Sequence, residues 1–308
     1  MNTAEEHIPL IDRMPDVRGE ITPDADIAKL TWFRTGGPAD ILFKPVDVDD
    51  LCAFLAALDM DIPVTLIGVG SNMLVRDAGV RGVVIRLPKS MSGIKIEGDL
   101  VIAGAGAPDV AVANKAAEAG LGGLEFLRGI PGTIGGAVVM NAGAYDHEVK
   151  DVLCRFKAVD RRGRLYSTKA DKFEFTYRHT NIPVGWTIVE ATFKGTPADR
   201  ALIDERMQAI NDAREATQPL RTRTGGSTFK NPEGHKAWQL VDDAGCRGLK
   251  VGGAQVSEKH CNFLINTGGA TSADIENLGE EVRRRVKDRS GVDLEWEIRR
   301  IGVKEAGK

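Results

Sequence analysis

The stretch GIPGTIGGA at residues 129–137 restricts the fold of this sequence more than any other segment. It runs on into MNAGAY at residues 140–145, and eight glycines fall between Gly120 and Gly143. So much glycine makes a poor helix and a poor strand, because glycine loses the most backbone freedom on ordering and packs no side chain. We therefore expect backbone that lies flat against a planar or anionic ligand. A buried glycine hinge is the alternative.

A second glycine-rich segment, GVGSNML at residues 68–74, directly follows a predicted strand at residues 63–67. Successive backbone N–H groups in such a turn can converge on a phosphate, and Ser71 and Asn72 add side-chain donors. Met73 occupies the third glycine position of the G-x-G-x-x-G fingerprint, so the segment is not a Rossmann motif. Ordinary turn chemistry explains it equally well.

Composition indicates a globular protein of several compact units. The chain has 308 residues, 44 acidic and 41 basic side chains, a net charge of −3, and 35 glycines. One hydrophobic core rarely serves so long a chain, and without a basic excess nucleic acid is a poor candidate partner. No apolar run reaches the roughly 18 residues of a membrane helix, and residues 1–31 contain no signal-peptide core. We expect a cytoplasmic protein with no membrane partner.

Neither metal nor disulfide chemistry is indicated by the sequence. The cysteines have no C-x-x-C spacing and are too sparse for a disulfide scaffold, so we expect reduced thiols. The histidines outside residue 260 are isolated and no H-E-x-x-H motif occurs, so we predict no catalytic metal. The cysteines are Cys52, Cys154, Cys246 and Cys261.

Apolar periodicity and turn residues predict an α+β fold with helices and strands intermixed along the chain. Helices are predicted at residues 47–58, 109–120, 197–216 and 236–244, and from residue 271 or 272 onward. Strands are predicted at residues 41–43, 63–67, 83–86, 94–97, 100–103, 155–160, 164–168, 186–193, 261–265 and 293–299. In the last of these, strict alternation puts Glu297 and Arg299 on one face, opposite Trp296.

Four ordered motifs closely resemble the UDP-N-acetylenolpyruvoylglucosamine reductase family. They lie at residues 68–72, 129–136, 140–145 and 226–232, and the resemblance extends from FRTGG at residues 33–37 to EIRRIG at residues 297–302. It implies a two-part FAD-binding region of the vanillyl-alcohol-oxidase-like type and a smaller α+β substrate-binding domain. The implied subdomains are residues 1–90, to which residues 299–308 return, residues 91–218, and a substrate domain at residues 219–298.

The resemblance also implies an activity. Members reduce UDP-N-acetylglucosamine enolpyruvate to UDP-N-acetylmuramate in peptidoglycan synthesis, and thereby serve cell-wall biogenesis, cell shape, the cell cycle and cell division. FAD would be held noncovalently and recharged by NADPH, because no protein side chain can supply a hydride. No tyrosine follows Tyr177, so the chain resembles the shorter type II branch, which lacks a tyrosine loop over the substrate. We expect a monomer.

Binding residues follow by the same resemblance. The implied FAD-binding residues are Gly68, Gly70, Ser71, Asn72, Leu74, Gly129, Ile130, Pro131, Gly132, Thr133, Gly135, Gly136, Asn141 and Gly143. The implied substrate-binding residues are Tyr177, Lys230, Asn231, His260 and Arg299.

Three residues carry the expected chemistry, which needs a proton and groups that stabilise enolate-like charge. Ser227 follows two glycines that permit close approach to a ligand and is the candidate proton donor, with a turn serine as the alternative. Arg178 would polarise the substrate carboxylate and the growing enolate. Glu297 would hydrogen-bond the enol, although Glu297 and Arg299 taken alone would form a solvated salt-bridge face.

Two positions depart from the family pattern. Trp296 stands where many members have proline before the glutamate, which puts the local strand geometry in question. Thr217 lies in a region where some members offer a lysine to the substrate, and a nearby arginine could replace that contact. The arginines in reach along the chain are Arg214, Arg221 and Arg223.

Two other functions remain open from the residues themselves. A flavin oxidase of the same broad architecture would leave Ser227 and Glu297 without assigned chemistry. A noncatalytic nucleotide-binding protein would use the glycine loops to hold a ligand, and its charged row would be ordinary surface.

Overall fold

The structure is a computed structural model that describes residues 8–305. Residues 1–7 and 306–308, the outer ends of the predicted first segment and of its return, lie outside the described residues. The helices are α1 (Val48–Ala57), α2 (Asp109–Glu118), α3 (Ile134–Met140), α4 (Arg200–Thr217), α5 (Ala237–Asp243) and α6 (Ser272–Ser290). The strands are β1 (Glu20–Ala25), β2 (Ala39–Lys44), β3 (Val64–Ile67), β4 (Met73–Val75), β5 (Val80–Arg86), β6 (Ile94–Glu97), β7 (Leu100–Gly104), β8 (Leu121–Gly122), β9 (Gly143–Ala144), β10 (His147–Glu148), β11 (Leu153–Val159), β12 (Leu165–Lys169), β13 (Phe175–Thr176), β14 (His179–Thr180), β15 (Thr187–Lys194), β16 (Thr196–Pro197), β17 (Arg223–Ser227), β18 (Lys250–Val251), β19 (Ala254–Val256), β20 (Phe263–Asn266) and β21 (Arg299–Ile301).

The first sheet has the strand order β1-β2-β5-β3, with β2 and β3 parallel to β5 and β1 antiparallel to β2. Helix α1 begins where predicted, because the Asp47 side chain accepts a hydrogen bond from the Asp50 amide at 2.9 Å. Its apolar face packs on the sheet, with Phe54 stacked on Phe43 at 3.9 Å between ring centroids. Because β3 and β5 are parallel, their carboxyl ends open at the same sheet edge.

The second sheet is antiparallel, with the order β12-β11-β15-β7-β6. The predicted hairpins form as expected: β6 and β7 join through Gly98, and β11 and β12 join through Gly163, and both glycines have positive φ. Helices α2 and α3 cover this sheet, and apolar residues of both helices belong to one buried core with β7, β11 and β15. The sequence therefore located the two hairpins and helix α2 correctly.

The glycine-rich segment contradicts its prediction, because residues 134–140 form helix α3 instead of nonhelical backbone. A Cβ added at Gly135 would lie 3.1 Å from the Cβ of Ala105, so the glycine lets the helix approach β7 closely. A Cβ at Gly136 would meet nothing within 4 Å. Tertiary packing thus outweighs the roughly 1 kcal/mol that each glycine costs a helix relative to alanine.

The third sheet has the antiparallel order β17-β20-β19-β18 and packs against α5 and α6. Helix α6 begins where the sequence predicted, and Thr271 caps it through a capping box with Asp274. The residues predicted to share one face of α6 are all fully buried in this core: Ile275, Leu278, Val282 and Val286.

The predicted strand at residues 293–299 is wrong in its extent. Only one bridge forms there, between Trp296 and Phe229, and regular pairing begins at Arg299, where β21 lies parallel to β4. The alternation still holds, since Leu294 and Ile298 are buried. The segment is extended but makes only a few backbone hydrogen bonds to residues 228–230. In one of them the Glu297 amide donates to the Thr228 carbonyl at 2.8 Å.

Among the described helices, none is both long enough and apolar enough to span a bilayer. The division at residues 90 and 218 stays a prediction.

Candidate active site

A cavity of about 1390 Å³ opens where the three sheets approach one another. The end of β3 with residues 68–69, the 105–108 segment with α3, and residues 296–301 each form part of its wall. Typical small-molecule pockets occupy about 300–1,000 Å³, so this cavity has room for a dinucleotide and more.

The turn after β3 packs directly on the glycine-rich segment at residues 129–137. A Cβ added at Gly68 would lie 2.7 Å from the Oγ1 of Thr133, and one at Gly70, where φ is +64°, would lie 2.5 Å from the Leu30 carbonyl oxygen. Gly68 and Thr133 both line the cavity. Only glycine allows this approach.

Residues 71–74 connect the cavity wall to the third sheet. The Asn72 side-chain amide donates to the Glu297 carbonyl oxygen at 3.2 Å, and the Asn72 carbonyl accepts from the Arg299 amide at 3.1 Å. Ser71 is half-buried. Leu74 is fully buried in an apolar cluster with Phe229 and does not line the cavity.

The predicted FAD-binding residues at positions 129–141 divide into two groups. Thr133, Gly135 and Gly136 line the cavity, and Gly136 leaves open space in front of it. Residues 129–132 lie behind this wall. Asn141 is fully buried, and its amide donates to the Thr176 carbonyl at 2.9 Å and to Glu148, so it holds the chain in place.

Arg178 and Glu297 form an ion pair at the cavity wall. The Arg178 Nε donates to the Glu297 Oε1 at 3.0 Å, and its Nη2 donates to the Gly143 carbonyl at 2.9 Å. The two side chains are only 17% and 14% exposed. Burial raises the pKa of Glu297, although the charges of Arg178 and Lys230 oppose this rise. The sequence separates this pair by 119 residues, and the fold brings it together.

The predicted substrate-binding residues are spread from the cavity to its surroundings. Lys230 and Arg299 line the cavity, and Lys230 also pairs with Glu295 at 2.6 Å. The exposed Tyr177 ring stacks on the Arg178 guanidinium at 4.8 Å, and its hydroxyl accepts a hydrogen bond from the Asn231 amide at 3.4 Å.

Asn231 and His260 do not line the cavity. The Asn231 side chain accepts from the Ala237 amide at 2.9 Å and so fixes the start of α5. His260 packs edge-on to Phe263 with 4.8 Å between centroids, and burial lowers the pKa of its imidazole. Thr217 ends α4, where its hydroxyl bonds the Ala213 carbonyl at 2.7 Å.

Ser227 ends β17, pairs with Phe263 and is half-buried. It is not part of the cavity wall, but the next residue, Thr228, accepts the backbone hydrogen bond from Glu297. Gly226 has φ of +77°, and a Cβ there would lie 3.9 Å from the Ser71 carbonyl. The glycines before Ser227 thus bring β17 beside the glycine-rich turn at residues 68–74.

Sequence reasoning missed three parts of the cavity wall, of which the 105–108 segment before α2 is one. Arg86 ends β5, and Lys89 and Ser90 follow it; all three line the edge where β3 and β5 both end. The parallel pairing of these two strands was the available signal. Residues 182–188 form another wall, and no local pattern marked them.

Within the part of the chain that the structure describes, no group of three His, Cys, Asp or Glu side chains could hold a metal ion. The cysteines of the predicted reduced set are all free there.

The residues of the cavity fit FAD. Gly136 leaves open space at the wall, where a flat ring can approach the backbone. Cationic side chains suited to a pyrophosphate line the cavity, among them Arg86, Lys89 and Arg299. Apolar side chains such as Trp186 supply surface for rings.

This fold and site define a flavin-dependent oxidoreductase with an FAD-binding region and a separate C-terminal α+β unit. Two family models match: "FAD binding domain" at residues 39–169, and "UDP-N-acetylenolpyruvoylglucosamine reductase, C-terminal domain" at residues 218–301. The UDP-N-acetylenolpyruvoylglucosamine reductase of Parvibaculum lavamentivorans is 62% identical over 99% of this chain and 98% of its own length. That of Paramagnetospirillum magneticum is 57% identical over 98% of both chains. The crystal structure of the Thermus caldophilus enzyme has a TM-score of 0.80 at 33% identity and covers 93% of this chain and 100% of its own.

The chain therefore belongs to the UDP-N-acetylenolpyruvoylglucosamine reductase family. Membership confirms three predictions: the family resemblance, the fold class, and that the protein is an enzyme that uses FAD. It also implies NADPH as the reductant. The oxidase and noncatalytic alternatives gain no support.

Proposed function

We propose that this enzyme reduces UDP-N-acetylglucosamine enolpyruvate to UDP-N-acetylmuramate with NADPH, as a cytoplasmic monomer in peptidoglycan synthesis. Cell-wall biogenesis, cell shape, the cell cycle and cell division would depend on it. The observation that supports the proposal best is the Arg178–Glu297 pair, a buried cation and carboxyl group beside a cavity of dinucleotide size. We also propose the division into residues 1–90 with 299–308, 91–218 and 219–298.

The glycine face of the cavity would hold the cofactor. This face consists of Gly68, Thr133, Gly135 and Gly136. Its three glycines expose backbone to the cavity and place no side chain in it. The other implied FAD-binding residues would act by holding this face in place. FAD supplies the hydride when it is bound, and NADPH restores it.

Arg178 would bind the carboxylate of the enolpyruvyl group and stabilise the charge that develops on it. Its guanidinium is fixed at two points, by Glu297 and by the Gly143 carbonyl, so it reaches the substrate already oriented. A preoriented donor in a partly dry site stabilises developing charge better than water does.

Glu297 would hydrogen-bond the enol-like oxygen. Burial raises the pKa of this carboxyl group, so its protonated form persists to higher pH than in a free glutamate. A protonated carboxyl can donate a hydrogen bond, and Arg178 keeps the group from turning away.

Ser227 would deliver the proton to the substrate carbon next to the one that accepts the hydride. Its hydroxyl remains protonated at neutral pH, and its neighbour Thr228 bonds the backbone of Glu297, so the two groups share one local frame. Tyr177, Lys230, Asn231, His260 and Arg299 would bind the nucleotide sugar. Arg214, whose guanidinium bonds the Arg128 carbonyl at 3.2 Å, is the arginine we propose for the contact that Thr217 does not make.

The test is NADPH oxidation by the purified holoenzyme under anaerobic conditions, with and without UDP-N-acetylglucosamine enolpyruvate. We expect sustained oxidation only with the substrate. If NADPH reduces the flavin equally with and without UDP-N-acetylglucosamine enolpyruvate, this compound is not the substrate.

Ser227→Ala should retain FAD and accept hydride from NADPH, yet turn over at least about a hundredfold more slowly, the usual range for loss of a positioned acid. Ser167→Ala, on the exposed edge strand β12, is the matched control and should be unaffected. Normal turnover of Ser227→Ala would remove Ser227 from the mechanism.

A further inference from the structure

A buried carboxyl group lies directly behind the cavity wall at the start of α2. Asp109 is the first residue of that helix and is fully buried. Among the described residues, neither of its carboxyl oxygens has a hydrogen-bond partner. A buried polar group without a partner is costly and calls for an explanation.

Asp109 faces the cofactor loop, our name for residues 129–133. A Cβ added at Gly132 would lie 2.7 Å from the Oδ2 of Asp109, so only glycine lets this loop pass over the carboxyl group. The Asp109 amide donates to the Gly132 carbonyl at 3.1 Å, which fixes the spacing of the two backbones.

The other side of the same backbone faces the cavity. Pro108 and Thr133 pair as an isolated antiparallel bridge, and both line the cavity. The Ile134 amide then bonds the Ala107 carbonyl at 3.0 Å. The carboxyl group is therefore separated from the proposed cofactor face by a single layer of backbone.

The protonation state of Asp109 fits such a role. Burial raises its pKa well above the usual range, and the nearby backbone N–H of Gly132 opposes the rise, although it does not reach hydrogen-bond geometry in this structure. Among residues 8–305, no cationic side chain forms an ion pair with it. A neutral carboxyl group keeps an oxygen that accepts from a backbone N–H and does not leave an uncompensated charge in the core.

Space filling alone does not account for this residue. Its surroundings contain the alanine-rich face of α2, where an apolar side chain of similar size would avoid the desolvation cost. A carboxyl group at this position gains something only if it bonds the loop that lies on it.

We propose that Asp109 is a positioning residue for the cofactor: when FAD is bound, its carboxyl oxygen accepts from the backbone of the cofactor loop and holds that loop in the conformation that binds FAD. The inference rests on the proposed placement of FAD against Thr133, Gly135 and Gly136. It adds no contact between Asp109 and the cofactor.

The experiment measures FAD affinity of the apoenzyme by quenching of flavin fluorescence, beside the free energy of unfolding in urea. Asp109→Asn keeps the acceptor oxygen and should bind FAD within about threefold of the wild type. Asp109→Leu keeps the branched shape, at a somewhat larger volume, without an acceptor, and should weaken FAD binding at least about tenfold, the usual effect of leaving a buried donor unpaired. Asp109→Ala replaces the leucine variant if that protein does not fold, with the same expected loss.

Asp50→Asn separates loss of stability from loss of positioning. Asp50 is also buried, but it accepts from the Arg18 and Val46 amides at 2.9 and 3.0 Å, beside α1. This control should lower stability and leave FAD affinity unchanged. Rescue by asparagine at position 109 is the result that a purely structural role does not predict.

Two results overturn the proposal. One is that Asp109→Leu or Asp109→Ala binds FAD as tightly as the wild type; the other is that Asp109→Asn binds FAD as weakly as the Leu and Ala variants are expected to. Gly136→Val tests the underlying placement separately, because its side chain would enter the cavity at the proposed FAD face. If Gly136→Val binds FAD normally, the placement of FAD is wrong, whatever Asp109 does.

Discussion

Replacing Arg178 with alanine removes the cation that faces Glu297 and tests the proposed mechanism most directly. The wild-type guanidinium makes two charge-assisted hydrogen bonds, at 3.0 Å to Glu297 and 2.9 Å to the Gly143 carbonyl. A preoriented donor to developing charge contributes about 2.7–4 kcal/mol in the transition state. We therefore expect the kcat for enolpyruvate reduction to fall by roughly 10²–10³, the same quantity expressed as a rate.

The same change has a pH signature with a definite sign. Burial raises the pKa of Glu297, and Arg178 opposes the rise. Removing the arginine leaves the burial effect less opposed, so the pKa of Glu297 rises further. In the plot of kcat against pH, the rise or fall that Glu297 controls should therefore move to higher pH, whichever protonation state of Glu297 is active.

Anaerobic stopped-flow absorbance separates the two half-reactions in this variant. Reduction of the flavin by NADPH should slow less than its reoxidation by the enolpyruvyl substrate. Arg178→Lys should be intermediate, because an ammonium keeps the charge and loses the forked geometry. Arg164→Ala is the remote control, since Arg164 pairs with Asp160 on an exposed hairpin. A kcat within about threefold of the wild type, or a limb that stays or moves to lower pH, would refute the role of Arg178.

Three further predictions concern the frame around the site. Glu276 binds Arg76 through two bonds of 3.0 Å, and although burial alone raises its pKa, these bonds bring it below the usual value. Glu276→Gln should lower the free energy of unfolding in urea by roughly 3 kcal/mol at pH 7, and the difference should vanish as pH falls through that lowered pKa. Glycine to alanine in a helix usually stabilises a protein by roughly 1 kcal/mol. Gly279→Ala should instead lower the melting temperature, because its Cβ would lie 2.2 Å from the Trp296 ring. A second substitution, Trp296→Leu, should restore the melting temperature. Burial raises the pKa of Cys261 to about 11, so labelling by a disulfide reagent at pH 8, followed by peptide mass spectrometry, should be much slower in the native than in the unfolded protein.

Features that depend on neighbours along the chain were predictable. Asp47 and Thr271 mark helix starts because each bonds an amide three residues later, and the hairpin turns need only a local glycine. Helix α3 was not predictable in this way. Whether Gly135 ends a helix or lets it approach a sheet depends on Ala105, which the chain brings there from another strand.

The site divides along the same line. The family resemblance singled out Arg178 and Glu297, but their 3.0 Å contact is assembled by the fold. Residues 86–93 and 182–188 carry no motif, because they become cavity wall only when the two FAD-side sheets meet. The resemblance therefore singled out two residues of the cavity wall that local patterns would have assigned to ordinary surface, and neither found the rest of the enclosure.

The segment before Glu297 shows how a departure from the family pattern can serve the same end. A proline would fix this backbone through its ring, whereas Trp296 has a free φ. Its indole instead donates to Glu280 at 2.8 Å and lies over α6 where Gly279 leaves room, which anchors the residue by its side chain. Glu297 follows directly and bonds the Thr228 carbonyl at 2.8 Å, so its direction is fixed from both sides. Because the anchor is a packing contact, the position of Glu297 depends on the absence of a side chain at Gly279, a residue of another element with no chemistry of its own.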